Sequence, residues 1–316
     1  MLPCPAISLP PSVFRKVSSW RVNMAPPNTR RETVHTPLNN IHILYTICIR
    51  PGNFESGKLA RRGDGILIGL LKTTGRGALN DCRIIAEGRS IIPEAEVNFL
   101  APVTRMDKLA CIGLNYSGHC EEQGVSPPET PVVFSKFPSN IIGPRDNIIL
   151  PQISDKVDWE AELAIVIGRK CKALKNNEGE DCIFGYTVAQ DISARDWQKS
   201  KRNGGQFLLG KAMDTFCPLG PAVITKESIC DINNLSVRTW VNGNLKQDGN
   251  TSELIFKPHE IVAYISQFIT LLPGDVILTG TPAGVGFTRK PPEFLQRGDV
   301  LETEIESIGR LRNKVL

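Results

Sequence analysis

The stretch Asp158-Trp159-Glu160-Ala161-Glu162-Leu163-Ala164-Ile165-Val166-Ile167-Gly168 sets two carboxylates, two residues apart, in an otherwise apolar run. The β-branched residues Ile165, Val166 and Ile167 favour a strand, in which side chains alternate between faces. Glu160 and Glu162 then point one way, and Trp159, Ala161 and Leu163 the other. Two like charges side by side near a core raise each other's pKa or call for a cation, and a bound cation is the simplest arrangement that keeps both ionised. The competing reading is a solvated strand face, since most strand carboxylates are simply wet.

Around this stretch lie 316 residues, 41% hydrophobic and 22% charged, enough for one large domain or two ordinary ones. No apolar run reaches the ~18 residues of a membrane span, so a soluble protein without a membrane partner is expected. The net charge of +4 is mild, and no lysine-arginine run is interleaved with aromatics, so nothing asks for nucleic acid. Small anionic ligands fit. The nine cysteines are odd in number and scattered, with no Cys-x-x-Cys. They argue against a disulfide framework or zinc ribbon and fit a reducing compartment.

The N-terminus carries Arg15, Lys16, Arg21, Arg30 and Arg31 with Ser8, Ser12, Ser18 and Ser19, and no acidic residue before Glu32. That is the composition of a mitochondrial transit peptide. Pro10, Pro11, Pro26 and Pro27 fit the other reading, a disordered leader over 1–40, which leaves a cytoplasmic location open. Residues 41–99 read as a small β-rich portion with short β segments at 41–50 and 65–71.

From residue 100 onward strands and tight turns dominate. Residues 237–241, Asn242-Gly243 and 244–247 read as a hairpin, since Asn-Gly supplies the positive φ angles of a type I′ turn. Pro273-Gly274-Asp275 and Arg297-Gly298-Asp299 are turns that launch strands at 276–279 and 300–305. Between them 260–272 places Ile261, Ile265, Phe268 and Leu272 at helical spacing. Strands outnumber helices without alternating as βαβ units, which predicts a mixed, mainly antiparallel α+β fold.

The chemistry-bearing residues fall at the ends of these elements. The strand-like run 184–190 ends at Asp191. A third carboxylate beside Glu160 and Glu162 gives an all-oxygen set suited to a hard cation such as Mg²⁺, Mn²⁺ or Ca²⁺. Alternatively Asp191 caps a helix over Ser193 and Ala194. Residues 111–124 read as a strand and turn entering a short helix that stops at Gly124. There the i, i+3 pair His119 and Glu122 is either a proton-handling dyad or a wet surface pair. Lys211, in Phe207-Leu208-Leu209-Gly210-Lys211-Ala212-Met213, either snorkels to water or faces the carboxylates. In 278–286 the backbone amides of a glycine-rich turn at Gly280 and the Thr281 hydroxyl could hold a substrate carboxylate, unless this is only a tight turn.

These blocks, in this order and spacing, resemble the fumarylacetoacetate hydrolase family. The run Arg202-Asn203-Gly204-Gly205-Gln206-Phe207-Leu208-Leu209-Gly210-Lys211, continuing from Asp214 to Pro221, looks most like its domain-containing protein 2 branch. The resemblance covers roughly 97–316 and implies a catalytic domain over 100–316. It implies a mixed β-sandwich roll with few helices, usually a homodimer, acting on small 2-keto or β-dicarbonyl acids. It places Glu160, Glu162 and Asp191 on metal ligands, with Mg²⁺ the usual ion. His119 and Glu122 fall on the dyad of a mobile lid, Lys211 on the active-site lysine, and Arg195, Gln198 and Thr281 around the substrate. Ala212-Met213 departs from the usual Ser or Thr followed by Phe, which bears on pocket shape. The implied activity is oxaloacetate keto–enol tautomerisation, with C–C hydrolysis of acylpyruvates as the alternative. A β-rich binding protein with a decayed site is the reading of another class, and the intact carboxylates, dyad and lysine argue against it.

Overall fold

The computed structural model describes residues 97–103, 106–198 and 203–316, with the backbone of short strands between residues 30 and 49. The leader through residue 29 and the segment expected at 65–71 lie outside the described residues. β1 (Arg30–Val34), β2 (Pro37–Leu38), β3 (Ile41–His42) and β4 (Tyr45–Ile49) come first, and β4 pairs antiparallel with both β1 and β5 (Val97–Phe99).

The body begins with β6 (Leu109–Gly113), α1 (Ser117–Gln123), β7 (Val132–Lys136), β8 (Ile141–Ile142), β9 (Val157–Asp158) and β10 (Ala161–Ile167). β11 (Ile183–Gln190), β12 (Ser193–Ala194), α2 (Arg195–Gln198), α3 (Leu208–Lys211) and β13 (Cys217–Thr225) follow. The chain ends through β14 (Ser236–Val241), β15 (Asn244–Asn250), α4 (Pro258–Phe268), β16 (Val276–Leu278), β17 (Val300–Ile305) and β18 (Gly309–Lys314). A seven-stranded sheet runs β7-β6-β16-β10-β11-β13-β8, and a four-stranded one β15-β14-β17-β18. Only β6 with β16 and β8 with β13 are parallel pairs among the described strands, so the sheets are mixed and mainly antiparallel, as expected.

β10 reads as a continuous apolar run because it is covered on both faces. Leu163, Ile165 and Ile167 pack with Ile261, Val262 and Ile265 of α4 and with Val237, Ile305 and Leu311 of the second sheet. Ala164 and Val166 enter a separate core with Ala101, Val103, Leu109, Cys111 and Leu278.

The hairpin turn has φ 51° at Asn242 and 77° at Gly243, as its type requires. The helix departs from its expected bounds. α4 starts earlier, at Pro258, where a missing N–H costs nothing, and it stops at Phe268. Ile269 is already extended because the chain turns away to bond Leu271 to Cys171 through both backbone groups. Leu272 therefore lies in the next turn, donating to Asp275. Phe268 is 68% exposed while Ile261 and Ile265 are buried.

Candidate active site

Strand register assembles the three carboxylates. β10 and β11 pair Ala161 with Gln190, so the next pair outward is Glu160 with Asp191, joined by the bond from Asp191 N to Glu160 O at 2.9 Å. Glu162 lies further along the same face of β10. All three are buried, and each offers an oxygen within 4.8 Å of the others. The solvated-face reading is thus corrected, as is the helix-cap reading of Asp191. Ser193 and Ala194 form strand β12, and the Asp191 carboxylate turns toward two lysines.

α3 delivers Lys211. Gly210 lets it approach α2, since a Cβ there would lie 2.5 Å from Gln198 N. Lys211 Nζ lies 2.5 Å from Glu160 Oε2 and 2.8 Å from Asp191 Oδ2. Burial alone would strip its proton, but Asp191 and Glu160 reverse that and raise its pKa. It does not snorkel. Burial likewise opposes ionisation of Glu160, yet Lys211 and Arg195 outweigh it and hold Glu160 at about 2. Arg195 binds Asp158 through Nε at 2.8 Å and Glu160 through Nη1 at 2.6 Å. Among the described residues Glu162, alone of these carboxylates, has no cation within ion-pair distance, and it accepts from Gly280 N at 2.6 Å. Burial first, then the Asp191 and Glu160 charges, push its pKa well above the ordinary range.

That amide corrects one expectation: the N–H of Gly280 is committed to Glu162 and not open to a substrate carboxylate. Register explains it, since Ala164 pairs with Leu278 and Gly280 therefore falls opposite Glu162. The Thr281 hydroxyl accepts from Gln247 at 2.7 Å and lines the cavity with His119, Gln123, Glu160, Glu162, Arg195, Gln198 and Lys211. Phe134 and Phe207, edge-on at 5.6 Å, wall the same cavity.

α1 carries the dyad and ends at Gly124 with φ 66°. His119 is buried, with Nδ1 2.5 Å from Glu122 Oε1 and Nε2 2.8 Å from Gln123 Nε2. The Gln123 Nε2 can only donate and the Glu122 carboxylate can only accept, which sets the proton on Nδ1 and leaves Nε2 the acceptor. Burial pushes the Glu122 carboxyl up, but the bonds from His119, Gly284 and Thr288 prevail and lower its pKa. The wet-surface reading of the pair is corrected.

Three residues were missed in the sequence. Lys136 is fully buried, donates to the carbonyls of Ile192, Lys211 and Phe216, and lies 2.8 Å from Asp191 Oδ1. The signal was there, a lysine within apolar β7, as for Lys211. Asp158 sits beside the two glutamates, and nothing local separates it from a solvated strand-end carboxylate. Gln123 carried no signal beyond its place beside the dyad.

A β-rich fold sets a buried acidic cluster, a lysine and an imidazole on one cavity, and the isomerases and hydrolases it resembles make the chain an enzyme of one of those types. A profile of the fumarylacetoacetate (FAA) hydrolase C-terminal domain matches residues 108–316, and the chain belongs to that family. A Bos taurus protein named oxaloacetate tautomerase FAHD2B, mitochondrial, is 55% identical over 234 residues, 74% of each chain. Among solved structures, 5-carboxymethyl-2-hydroxymuconate delta-isomerase from Mycobacterium smegmatis is 37% identical with a TM-score of 0.63, covering 90% of this chain and 93% of its own. Fumarylpyruvate hydrolase from Pseudomonas aeruginosa, in complex with Mn²⁺ and pyruvate, is 28% identical with a TM-score of 0.61, covering 68% and 91%.

Proposed function

We propose that this enzyme is a divalent-metal-dependent oxaloacetate tautomerase whose catalytic domain spans 100–316, with Glu160, Glu162 and Asp191 as the metal ligands. The observation that carries the reading is Glu162, a fully buried carboxyl facing two other carboxylates without a cation of its own. Asp191 belongs to the same cluster, its Oδ1 2.8 Å from Lys136 and its Oδ2 2.8 Å from Lys211. An all-oxygen set of this kind fits Mg²⁺, with Mn²⁺ or Ca²⁺ as alternatives. The ion, when bound, would supply positive charge that polarises the keto group of a 2-keto acid.

The chain's own residues do the rest. Arg195, its side chain 8% exposed, keeps a buried Nη2 with no acceptor, and that N–H is suited to a substrate carboxylate. Gln198 and Thr281 line the same cavity and orient the acid. Lys211, held as an ammonium, offsets charge on the substrate's keto oxygen. His119, backed by Glu122, takes the C3 proton at Nε2 once the Gln123 amide yields its place, and returns it to oxygen. Phe134 and Phe207 keep water from the exposed carbanion.

The neighbouring fumarylpyruvate hydrolase favours a second reading, in which the same dyad activates water and a C–C bond of an acylpyruvate is cut. Purified protein with Mg²⁺ separates the two. Loss of enol absorbance with oxaloacetate supports the tautomerase, and pyruvate release from acetylpyruvate supports the hydrolase. Neither signal, with no Mg²⁺-induced thermal shift, refutes both.

A mitochondrial location is supported by the Arg- and Ser-rich leader and by the name of the bovine relative. A homodimer is supported by the family resemblance and by an apolar groove of Val133, Tyr264, Phe268 and Ile269 beside β7, an edge strand of the larger sheet.

A further inference from the structure

Segment 284–288 grips two carboxylates, Glu122 and Asp158, each of which holds a residue that lines the cavity, His119 and Arg195. Gly284 N donates to Glu122 Oε2 at 2.9 Å, and the Thr288 hydroxyl reaches the same oxygen at 2.9 Å. That hydroxyl also lies 3.0 Å from Val285 O, but it has one proton to give and the charged oxygen is the stronger acceptor. Two residues away, Gly286 N donates to Asp158 Oδ1 at 2.7 Å and Phe287 N to Asp158 Oδ2 at 3.0 Å. Asp158 completes its set with Trp159 N at 2.8 Å and Arg195 Nε at 2.8 Å, while the Arg195 guanidinium stacks 4.4 Å from the Phe287 ring centre. The segment runs hard against its neighbours: a Cβ on Gly286 would lie 2.1 Å from Glu293 O and 2.6 Å from Asp158 Oδ1.

We infer that segment 284–288 is a positioning strap that ties the His119–Glu122 pair to Arg195, with Thr288 and Asp158 as its two positioning residues. The inference rests on the proposed function for the roles of His119 and Arg195. Neither Thr288 nor Asp158 lines the cavity, so each acts through the residue it holds. Glu122 fixes the imidazole that moves the proton, so Thr288 acts on turnover. Asp158 fixes the Nε edge of Arg195, a residue that lines the cavity and keeps Nη2 without an acceptor, so Asp158 acts on binding. Because the same short backbone serves both, loosening it at one end also relaxes the other.

The test uses full-length enzyme with saturating Mg²⁺ and oxaloacetate. Thr288→Val, which keeps the shape and removes one hydrogen bond to a charged group, is expected to lower kcat about tenfold with a smaller rise in KM passed along the strap to Arg195. Thr288→Ser should recover most of that loss. Asp158→Asn, which turns an amide N–H toward existing donors, should raise KM by at least about tenfold. The double variant should lose less than the product of the two, since both act on one segment. A substrate-free readout runs beside the kinetics: with only four histidines in the chain, imidazole ¹⁵N spectra resolve His119, and Thr288→Val should move its signals while sparing the other three. A double variant showing the full product, or His119 signals unmoved by Thr288→Val, overturns the strap. Wild-type enzyme that turns over no 2-keto acid, while Thr288→Val still moves His119, removes the proposed function and leaves the strap standing.

Discussion

Replacing Lys136 with methionine keeps the length and apolar stem of a buried side chain and removes its charge. The ammonium lies 2.8 Å from Asp191 Oδ1 and donates to Ile192 O at 3.0 Å, Phe216 O at 2.8 Å and Lys211 O. Breaking a buried ion pair by deleting one partner costs about 3–5 kcal/mol, because the remaining charge stays buried. Lys211 still faces Asp191 and limits the loss, while the carbonyls left without a donor add to it. At about 2–4 °C per kcal/mol for a domain of this size, the expected fall in Tm is roughly 6–20 °C. Differential scanning calorimetry in EDTA measures it. Repeating the scan in Mg²⁺ adds a sharper test. With Lys136 gone, a divalent ion at Asp191 meets one less competing positive charge, so Mg²⁺ should raise the variant's Tm by more than it raises that of the wild type. A fall of less than about 2 °C in EDTA would show that Lys136 carries no such share of the stability. A Mg²⁺ gain no larger than in the wild type would show that the lysine and the ion do not meet at Asp191.

Further outcomes follow from the same geometry. His119→Ala should lower kcat by about 10²–10⁴-fold, the usual worth of a general acid–base group; a full rate with oxaloacetate would assign the proton to another carrier. The pKa of Glu162 is raised by folding. Stability of the ion-free protein therefore declines as pH climbs from the ordinary Glu value of about 4.3 toward the raised one. Mg²⁺ must displace that proton, so its affinity should rise with pH over the same window and its binding should release protons, read by calorimetry in buffers of different ionisation enthalpy. A pH-independent affinity would contradict this. Phe268→Asp, on a side chain 68% exposed, should convert the proposed dimer to monomer in sedimentation with little change in Tm; an unchanged mass would move the interface elsewhere.

What could be read in advance depended on how local each feature is. The alternation of Glu160 and Glu162 and the i, i+3 spacing of His119 and Glu122 are set by strand and helix geometry, and both hold. The Asn242-Gly243 turn is likewise local chemistry. Other features depend on distant partners. The N–H of Gly280 is lost to Glu162 because β16 lies beside β10 in one register, which no pattern near residue 280 encodes. Asp191 looks like a helix cap until β11 brings it opposite Glu160. Lys136 and Asp158 escape notice because a charge in an apolar run is ordinarily exposed, and only the assembled core shows what neutralises each. Helix α4 ends early because the backbone pairing of Cys171 with Leu271 outweighs a helical spacing that continues to Leu272.

The central claim is that three buried carboxylates hold a divalent ion that makes the cavity act on a 2-keto acid. Following enol absorbance of oxaloacetate with wild type and Glu162→Gln, each in Mg²⁺ and in EDTA and each checked for its native circular dichroism, tests it directly. The account predicts rapid decay for the wild type in Mg²⁺ and the uncatalysed rate in EDTA and in the folded variant. Decay as fast in EDTA as in Mg²⁺, or a folded Glu162→Gln enzyme at the wild-type rate, would contradict it.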